Sequence, residues 1–165
     1  MSKSIEQLIT VLKEECNLYK DYLDLAREKK TAVIKGEIKE LDHITKREQN
    51  MIVNMGKVDQ IRTAIIGNIL LEKNIASVET ISELADLIEE PARATILKLK
   101  DNLAALLEET KNLNHINSEL LQQALEYVDY NINLLTSAQP QSSTYGNKAD
   151  EKDLKARANI FDAKI

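Results

Sequence analysis

The feature that most constrains this chain is a regular, mainly apolar row of residues in its C-terminal half. Members of the row alternate in steps of four and three residues over about six repeats. They are Ala92, Ile96, Leu99, Leu103, Leu106, Thr110, Leu113, Asn117, Leu120, Ala124, Tyr127, Asn131 and Leu134. Because a strand repeats every two residues, this heptad seam predicts a single long helix, from about residue 91 to 136, in a coiled-coil-like bundle.

A second apolar row runs beside the seam and widens the apolar face of the same helix. Its members are Leu107, Leu121, Leu125, Val128, Ile132 and Leu135. A two-stranded zipper needs only the narrow seam, so the wider face predicts packing against two neighbours. Leu121, a member of this row, is also one of the residues that we predict to bind a partner.

Two further helical stripes precede the long helix, and they predict helices over residues 4–35 and 37–73. Ser4, with Gln7 three residues later, is the predicted N-cap of the first helix. Gly36 is the predicted break between the two helices. Gly56 and Gly67 lie inside the second helix, and we interpret them as marks of a kink or of a close contact between helices.

A short connecting helix is predicted over residues 78–89, with Pro91 forcing its end. The chain contains only four glycines and two prolines, too few for a turn-rich β fold. The predicted fold is therefore all-α, in which long antiparallel helices form a coiled-coil-like bundle and a short helix connects two of them.

The composition changes at residues 136–144, which are small and polar and include Pro140. We predict a helical bundle over residues 1–136 and a flexible, partner-binding C-terminal tail over 137–165. A tail stripe with steps of four, three and four predicts a short amphipathic helix, marginal unless it packs on something. Its members are Leu154, Ala158, Phe161 and Ile165.

Charge and cysteine usage exclude several classes of protein. A net charge of −5 argues against binding nucleic acid, because neutralising phosphates requires a basic surface. Cys16 is the only cysteine, so no intramolecular disulfide forms, which suits a reducing compartment. The chain opens without a signal peptide and contains no run of about 20 apolar residues. We therefore predict a soluble cytoplasmic protein that does not insert into membranes.

No pattern of residues points to catalysis, a metal or a cofactor. His43 and His115 stand outside any metal-ligand spacing, and adjacent acidic residues such as Glu14 and Glu15 point about 100° apart on a helix. Cys16 lies on the apolar stripe of the first helix, which favours a small buried hydrophobe over a reactive thiol. We predict that the protein is not an enzyme.

Polar residues at special positions are the better candidates for function. Asn117 and Asn131 replace leucine in the seam, either to fix the register of the bundle or to form a polar notch in a partner-binding groove. Tyr145, followed by Gly146, is an isolated aromatic residue in the polar linker. It is either an anchor for a partner's pocket or an exposed tyrosine without a role.

These features together resemble the FlgN family of flagellar type III export chaperones over nearly the whole chain. The motifs that carry the resemblance are Leu23-x-Leu25-Ala26-x-x-Lys29-x-x-Ala32-Val33, Gly36-Glu37-x-x-x-Leu41 with Glu48, Asn114-x-x-Asn117-x-x-Leu120-Leu121, Tyr145-Gly146 and the terminal Phe161-Asp162-Ala163-Lys164-Ile165. Their order and spacing carry more weight than any single motif.

The resemblance implies a cytoplasmic chaperone that holds the hook-filament junction proteins FlgK and FlgL and delivers them to the flagellar export apparatus. It implies that Tyr145 of the Tyr145-Gly146 pair contacts the export-gate protein FlhA. It also implies that Leu154, Phe161 and Ile165 face the C-terminal segments of the junction proteins. A tethered amphipathic segment that pairs with another apolar helix is physically consistent with this role.

Two alternatives stay open. In the first, the seam serves only self-assembly, which would make the chain a structural coiled-coil protein, and a homo-oligomer is compatible with either interpretation. A helix at a membrane surface is the other alternative. The basic residues of the tail are nearly balanced by acidic ones, so anionic lipid would gain little from binding it.

Overall fold

The computed structural model of the chain describes residues 2–137. These residues form four helices and contain no strand: α1 Lys3–Lys35, α2 Ile38–Lys73, α3 Ile81–Asp86 and α4 Ala92–Ser137. The all-α prediction is confirmed, with the three long helices within one or two residues of the predicted bounds. The chain divides into two compact units, Met1–Val128 and Asp129–Ile165.

Both ends of α1 are capped, and the first cap differs from the prediction. Ser2, not Ser4, is the N-cap, and its side chain accepts a hydrogen bond from the Ile5 backbone N–H. Ser4 lies in the first turn of the helix and is buried, and its hydroxyl donates to the Glu72 carboxylate of α2. The predicted break at Gly36 is confirmed, because this residue has the left-handed φ of 69° that glycine adopts without strain.

Helix α2 runs from Ile38 to Lys73 and ends at Asn74, which has a left-handed φ of 56°. Gly56 and Gly67 lie within this helix. A Cβ atom built at either glycine meets nothing within 4 Å. The interpretation of these glycines as marks of a close helix contact is therefore wrong.

The connecting helix is shorter than predicted, since α3 spans only Ile81–Asp86. Thr80 caps it by accepting from the Glu83 N–H, while the Glu83 carboxylate accepts from the Glu79 N–H. This arrangement is close to a capping box, except that the Glu83 carboxylate accepts from the residue before the N-cap, and it marks where α3 begins. The end of α3 precedes Pro91 by five residues, so the proline limits α4 rather than α3.

Consecutive long helices are antiparallel, so α1 and α4 run in the same direction. The Cys16 thiol lies 3.7 Å from the Leu99 carbonyl oxygen, and further along both helices Nδ2 of Asn117 donates to the Ala26 carbonyl oxygen at 2.9 Å. The main hydrophobic core includes residues of all four helices, among them the fully buried Leu8 of α1, Ile69 of α2, Leu84 of α3 and Ile96 of α4. A smaller cluster joins α1 and α2 around Leu25, Ala32 and Ile44.

The second unit contributes residues 129–137, the last turns of α4, to the described part of the chain. Four large hydrophobic side chains are exposed on these turns: Tyr130, Ile132, Leu134 and Leu135. The predicted division into a bundle over 1–136 and a tail over 137–165 stays a prediction.

Candidate functional site

Helices α1, α2 and α4 of the first unit enclose an open groove of about 610 Å³, which we call the Tyr19 groove. Its lining comprises Glu15, Leu18, Tyr19 and Tyr22 of α1, Ile52, Met55, Gly56, Asp59 and Arg62 of α2, and Leu103, Leu107, Thr110, Lys111 and Asn114 of α4. Most ligand sites are concave and mainly apolar, with a few polar groups that fix orientation. The Tyr19 groove has this composition.

One end of the groove carries a partly buried ion pair. Arg62 Nη1 lies 2.8 and 2.9 Å from the two oxygens of the buried Glu15 carboxylate, and Arg62 also pairs with Asp59. Burial raises the pKa of Glu15 against the opposing effect of the Arg62 guanidinium. Both carboxylate oxygens of Glu15 thus accept from the one nitrogen Nη1, while Nη2 of Arg62 donates to Asp59, so the guanidinium links α1 to α2 at this wall of the groove.

The other end carries a polar network that links the three helices. The Tyr22 hydroxyl donates to Glu48 at 2.8 Å and lies 3.4 Å from Oδ1 of Asn114, while Lys29 donates to the same Glu48 carboxylate at 2.9 Å. Burial raises the pKa of Tyr22, and the hydrogen bond to Glu48 raises it further. The tyrosine therefore stays a neutral donor at physiological pH.

Asn117 is buried next to this network, with 2% of its surface exposed. Its Nδ2 donates to the Ala26 carbonyl oxygen, whereas its Oδ1 is buried without a hydrogen-bond partner. This hydrogen bond joins α4 to one particular residue of α1, as a residue that fixes the register of the two helices must do. The partner-binding role predicted for Asn117 stays a prediction, as does that of Leu121, which is half-buried on α4.

Helix α4 exposes an apolar surface beyond Asn117. Leu125 and Val128 are 61% and 51% exposed and follow the half-buried Leu121 in steps of four and three residues. We call these three residues the α4 ridge. Exposed apolar surface of this kind marks sites where a protein contacts another polypeptide or a membrane.

The cysteine and the two histidines considered in the sequence lie in environments that give them no chemical role. Cys16 is a buried free thiol, which confirms its interpretation as a small hydrophobe. His43 and His115 are exposed, and His115 Nε2 lies 3.4 Å from a Glu119 carboxylate oxygen. Across residues 2–137 no cluster of three or more His, Cys, Asp or Glu side chains is placed to hold a metal ion.

Most of the predicted partner-binding residues lie outside the described residues: Tyr145, Gly146, Leu154, Ala158, Phe161 and Ile165. Their assigned roles stay predictions. Within residues 2–137 no helix combines the length and apolar character needed to cross a membrane.

Sequence reasoning misses the Tyr19 groove. Tyr19 belongs to the apolar stripe of α1 and no local pattern singles out Tyr22, yet both tyrosines line the groove. The available signal is Gly56, because a glycine inside a long helix leaves a gap on one of its faces. Only the packing of three helices shows that this gap belongs to a groove.

An apolar groove between helices and an exposed apolar ridge are features of the class of all-α proteins that bind other polypeptides. Within that class, the family model described as FlgN protein matches residues 1–153. The chain belongs to the FlgN family, a family of flagellar export chaperones, and the resemblance seen in the sequence is confirmed.

A relative from Bacillus subtilis (strain 168), described as uncharacterized protein YvyG, is 26% identical over 165 residues. The match covers 98% of this chain and 99% of the relative. No solved structure matches the chain.

Proposed function

We propose that this chain is a cytoplasmic chaperone for hook-filament junction proteins of the FlgK and FlgL type. It binds their C-terminal segments, prevents premature association and delivers them to the export-gate protein FlhA. The single observation that supports this proposal most is the match of the FlgN family model to residues 1–153, because it covers nearly the whole chain.

The proposed mechanism is the burial and release of an apolar helix, without any bond being broken. The tail stripe, which consists of Leu154, Ala158, Phe161 and Ile165, packs on the amphipathic C-terminal helix of the junction protein. Asn117 and Leu121 extend the contact onto α4, and Tyr145 with Gly146 contacts FlhA. Covering the apolar face of the cargo keeps it from self-associating, because exposed apolar surface drives association.

Titration calorimetry with purified FlgK and FlgL tests the role of the tail. Replacing both Phe161 and Ile165 with Asp places two charges on the stripe, and we expect binding to be lost. Ile160→Asp is the matched control, since Ile160 is adjacent in sequence but outside the stripe. Unaltered binding by the double variant would refute the role of the tail, and no binding by the unmodified chain would refute the function.

The role of Tyr145 has a separate test. We expect Tyr145→Ala to weaken binding to the cytoplasmic domain of FlhA and to leave the affinity for the junction proteins unchanged. Equal loss of both activities would show that Tyr145 supports the tail as a whole and is not a gate contact.

Structural self-assembly is the second candidate function, and the exposed α4 ridge is the observation that favours it. A structural coiled-coil protein forms oligomers that grow with concentration. Sedimentation velocity separates the candidates, since a chaperone is expected as a monomer or a small closed oligomer at every concentration.

A further inference from the structure

Helix α4 is attached to the rest of its unit in two different ways along its length. Its first half enters the main hydrophobic core, where Leu103 is buried. Beyond Leu106, neither hydrophobic cluster in the described part of the chain contains a residue of α4. The residues of this helix that are buried past that point, over the range described, are Thr110 and Asn117, and both are polar. The attachment of α4 therefore changes from apolar to polar near Leu106.

Two polar contacts hold the second half of α4 on α1. Nδ2 of Asn117 donates to the Ala26 carbonyl oxygen at 2.9 Å, whereas Oδ1 of Asn114 lies 3.4 Å from the Tyr22 hydroxyl. The same hydroxyl donates to Glu48 at 2.8 Å, so its contact with Asn114 is the weaker of the two. The hydrogen bond of Asn117 is thus the main polar link between the helices here.

The Arg27–Glu109 ion pair adds little to this attachment. Both side chains are about half exposed, and water and salt replace such a pair at a small cost. Water also replaces the partners of a broken hydrogen bond, whereas apolar contacts in a core have no substitute in water. The second half of α4 can therefore leave α1 while the main core keeps the first half in place.

The attached position also carries a cost that detachment removes. Oδ1 of Asn117 is buried without a hydrogen-bond partner. A buried polar group without a partner destabilises the state that buries it. Water reaches this oxygen once the helix moves away from α1, so detachment offsets part of the loss of the hydrogen bond to Ala26.

Thr110 lies between the two halves and gives α4 a place to bend. Its hydroxyl donates to the Leu106 carbonyl oxygen at 2.7 Å. A hydroxyl that is bonded to the carbonyl four residues earlier often bends a helix. Helix α4 contains neither proline nor glycine, so we expect it to bend at this point and not to break.

We propose that residues 111–128 of α4 form an arm that opens away from α1 about a hinge at Thr110, with the Asn117–Ala26 hydrogen bond as its latch. In the closed position Ala26 is 2% exposed. Opening uncovers the surface of α1 around Ala26 and leaves the main core intact. The fold thereby contains a surface that is accessible only in the open state. This proposal concerns the chain alone and does not depend on the proposed chaperone function.

Distances between spin labels, measured by pulsed electron paramagnetic resonance in a Cys16→Ala background, test the arm. One pair of labelled cysteines, at Thr31 of α1 and Gln123 of α4, reports the arm. A second pair, at Lys13 and Asn102, reports the half of α4 that lies in the main core, and all four positions are exposed. An excess of unlabelled chain confines the signal to distances within one chain. We expect two distances for the arm pair and a single narrow distance for the core pair.

Substitutions of the latch should change the ratio of the two arm distances. Asn117→Ala removes the hydrogen bond, so the population with the longer distance should rise about fivefold relative to the other. Asn117→Leu replaces the polar contact with an apolar one and should lower that population. Ser4→Ala is the matched control, because it removes a hydrogen bond between α1 and α2, from the Ser4 hydroxyl to Glu72, and should change neither label pair.

Two results would overturn the proposal. One is a single narrow distance for the arm pair that Asn117→Ala leaves unchanged. The other is equal broadening of both pairs, since α4 would then loosen as a whole and would have no hinge. Two arm distances whose ratio moves in opposite directions in the alanine and leucine variants, with the core pair unaltered, would establish the arm and its latch.

Discussion

Two stretches of α4 carry the same sequence pattern and have opposite surroundings. Ile96, Leu103, Thr110 and Asn117 occupy one heptad position at intervals of seven residues, and all four are buried. Ala124 occupies that position in the next repeat and is exposed. The pattern thus indicates which face of a helix is apolar, and tertiary structure decides how far along the helix that face is covered.

The largest expected effect concerns the covered stretch. Ile96→Ala removes a fully buried side chain from the main core, and we expect a loss of about 2–5 kcal/mol in the free energy of unfolding. Leu125→Ala, on the exposed stretch, should cost less than about 0.5 kcal/mol in the monomer. Urea denaturation followed by circular dichroism at low protein concentration measures both. Equal losses for the two variants would show that the two stretches of α4 are buried to the same extent.

The next prediction concerns Asn117, which lies at the boundary between the covered and the exposed stretch of α4. Asn117→Leu removes a buried, unpartnered Oδ1 together with one hydrogen bond to Ala26, whose carbonyl retains its acceptor role within α1. An unsatisfied buried polar group costs about 1–3 kcal/mol and a typical hydrogen bond contributes about 1 kcal/mol, so we expect net stabilisation of about 1 kcal/mol. Urea denaturation of this variant measures the change.

The same Asn117→Leu variant also tests register control. If Asn117 fixes the register, the leucine variant should be more stable but less uniform, with broadened or doubled amide resonances in a nitrogen–proton NMR spectrum. A less stable variant with a single set of resonances would contradict the expectation, because the lost hydrogen bond to Ala26 would then outweigh the removal of the unpartnered Oδ1.

An effect of similar size is expected at the glycines of α2 and its preceding turn. Gly56→Ala should stabilise the chain by up to about 1 kcal/mol, since alanine favours the helix and its Cβ meets nothing within 4 Å. Gly36→Ala is the contrasting variant and should destabilise it by about 1 kcal/mol, because φ at Gly36 is +69°. Thermal unfolding of both variants measures the difference. A destabilising Gly56→Ala would mean that another side chain occupies the space beside this glycine.

The smallest effect concerns the exposed ion pair that joins α1 and α4. Arg27 Nη2 lies 2.6 Å from a Glu109 carboxylate oxygen, and both side chains are about half exposed. An exposed pair contributes about 0.2–1 kcal/mol, and high salt weakens it. A double-mutant cycle of Arg27→Ala and Glu109→Ala, at low and at high salt, should give a coupling energy in that range. A coupling that salt leaves unchanged would indicate a pair shielded from solvent.

Much of the fold could be predicted because local physical chemistry controls it. The four-three spacing determined that α4 is one long helix, and Gly36 determined the turn between α1 and α2 through its left-handed φ. The predicted N-cap is two residues too late, since Ser2 and Ser4 have equal capping chemistry. In the structure Ser2 is the N-cap, and the Ser4 hydroxyl donates instead to Glu72, a residue remote in sequence.

The candidate site was less predictable. The apolar stripe of α1 includes Tyr19, but no local pattern shows that this tyrosine lines an open groove with Gly56 and Leu107. The buried state of Asn117 likewise depends on which part of α1 faces it.

By itself the sequence determined the helices, their apolar faces and the family, because these follow from residue type and spacing along one chain. Only the tertiary structure decided where those faces are covered, which polar groups meet across helices and where a groove is left open. The physical reason is that burial depends on neighbours remote in sequence, such as Ala26 for Asn117 and Arg62 for Glu15.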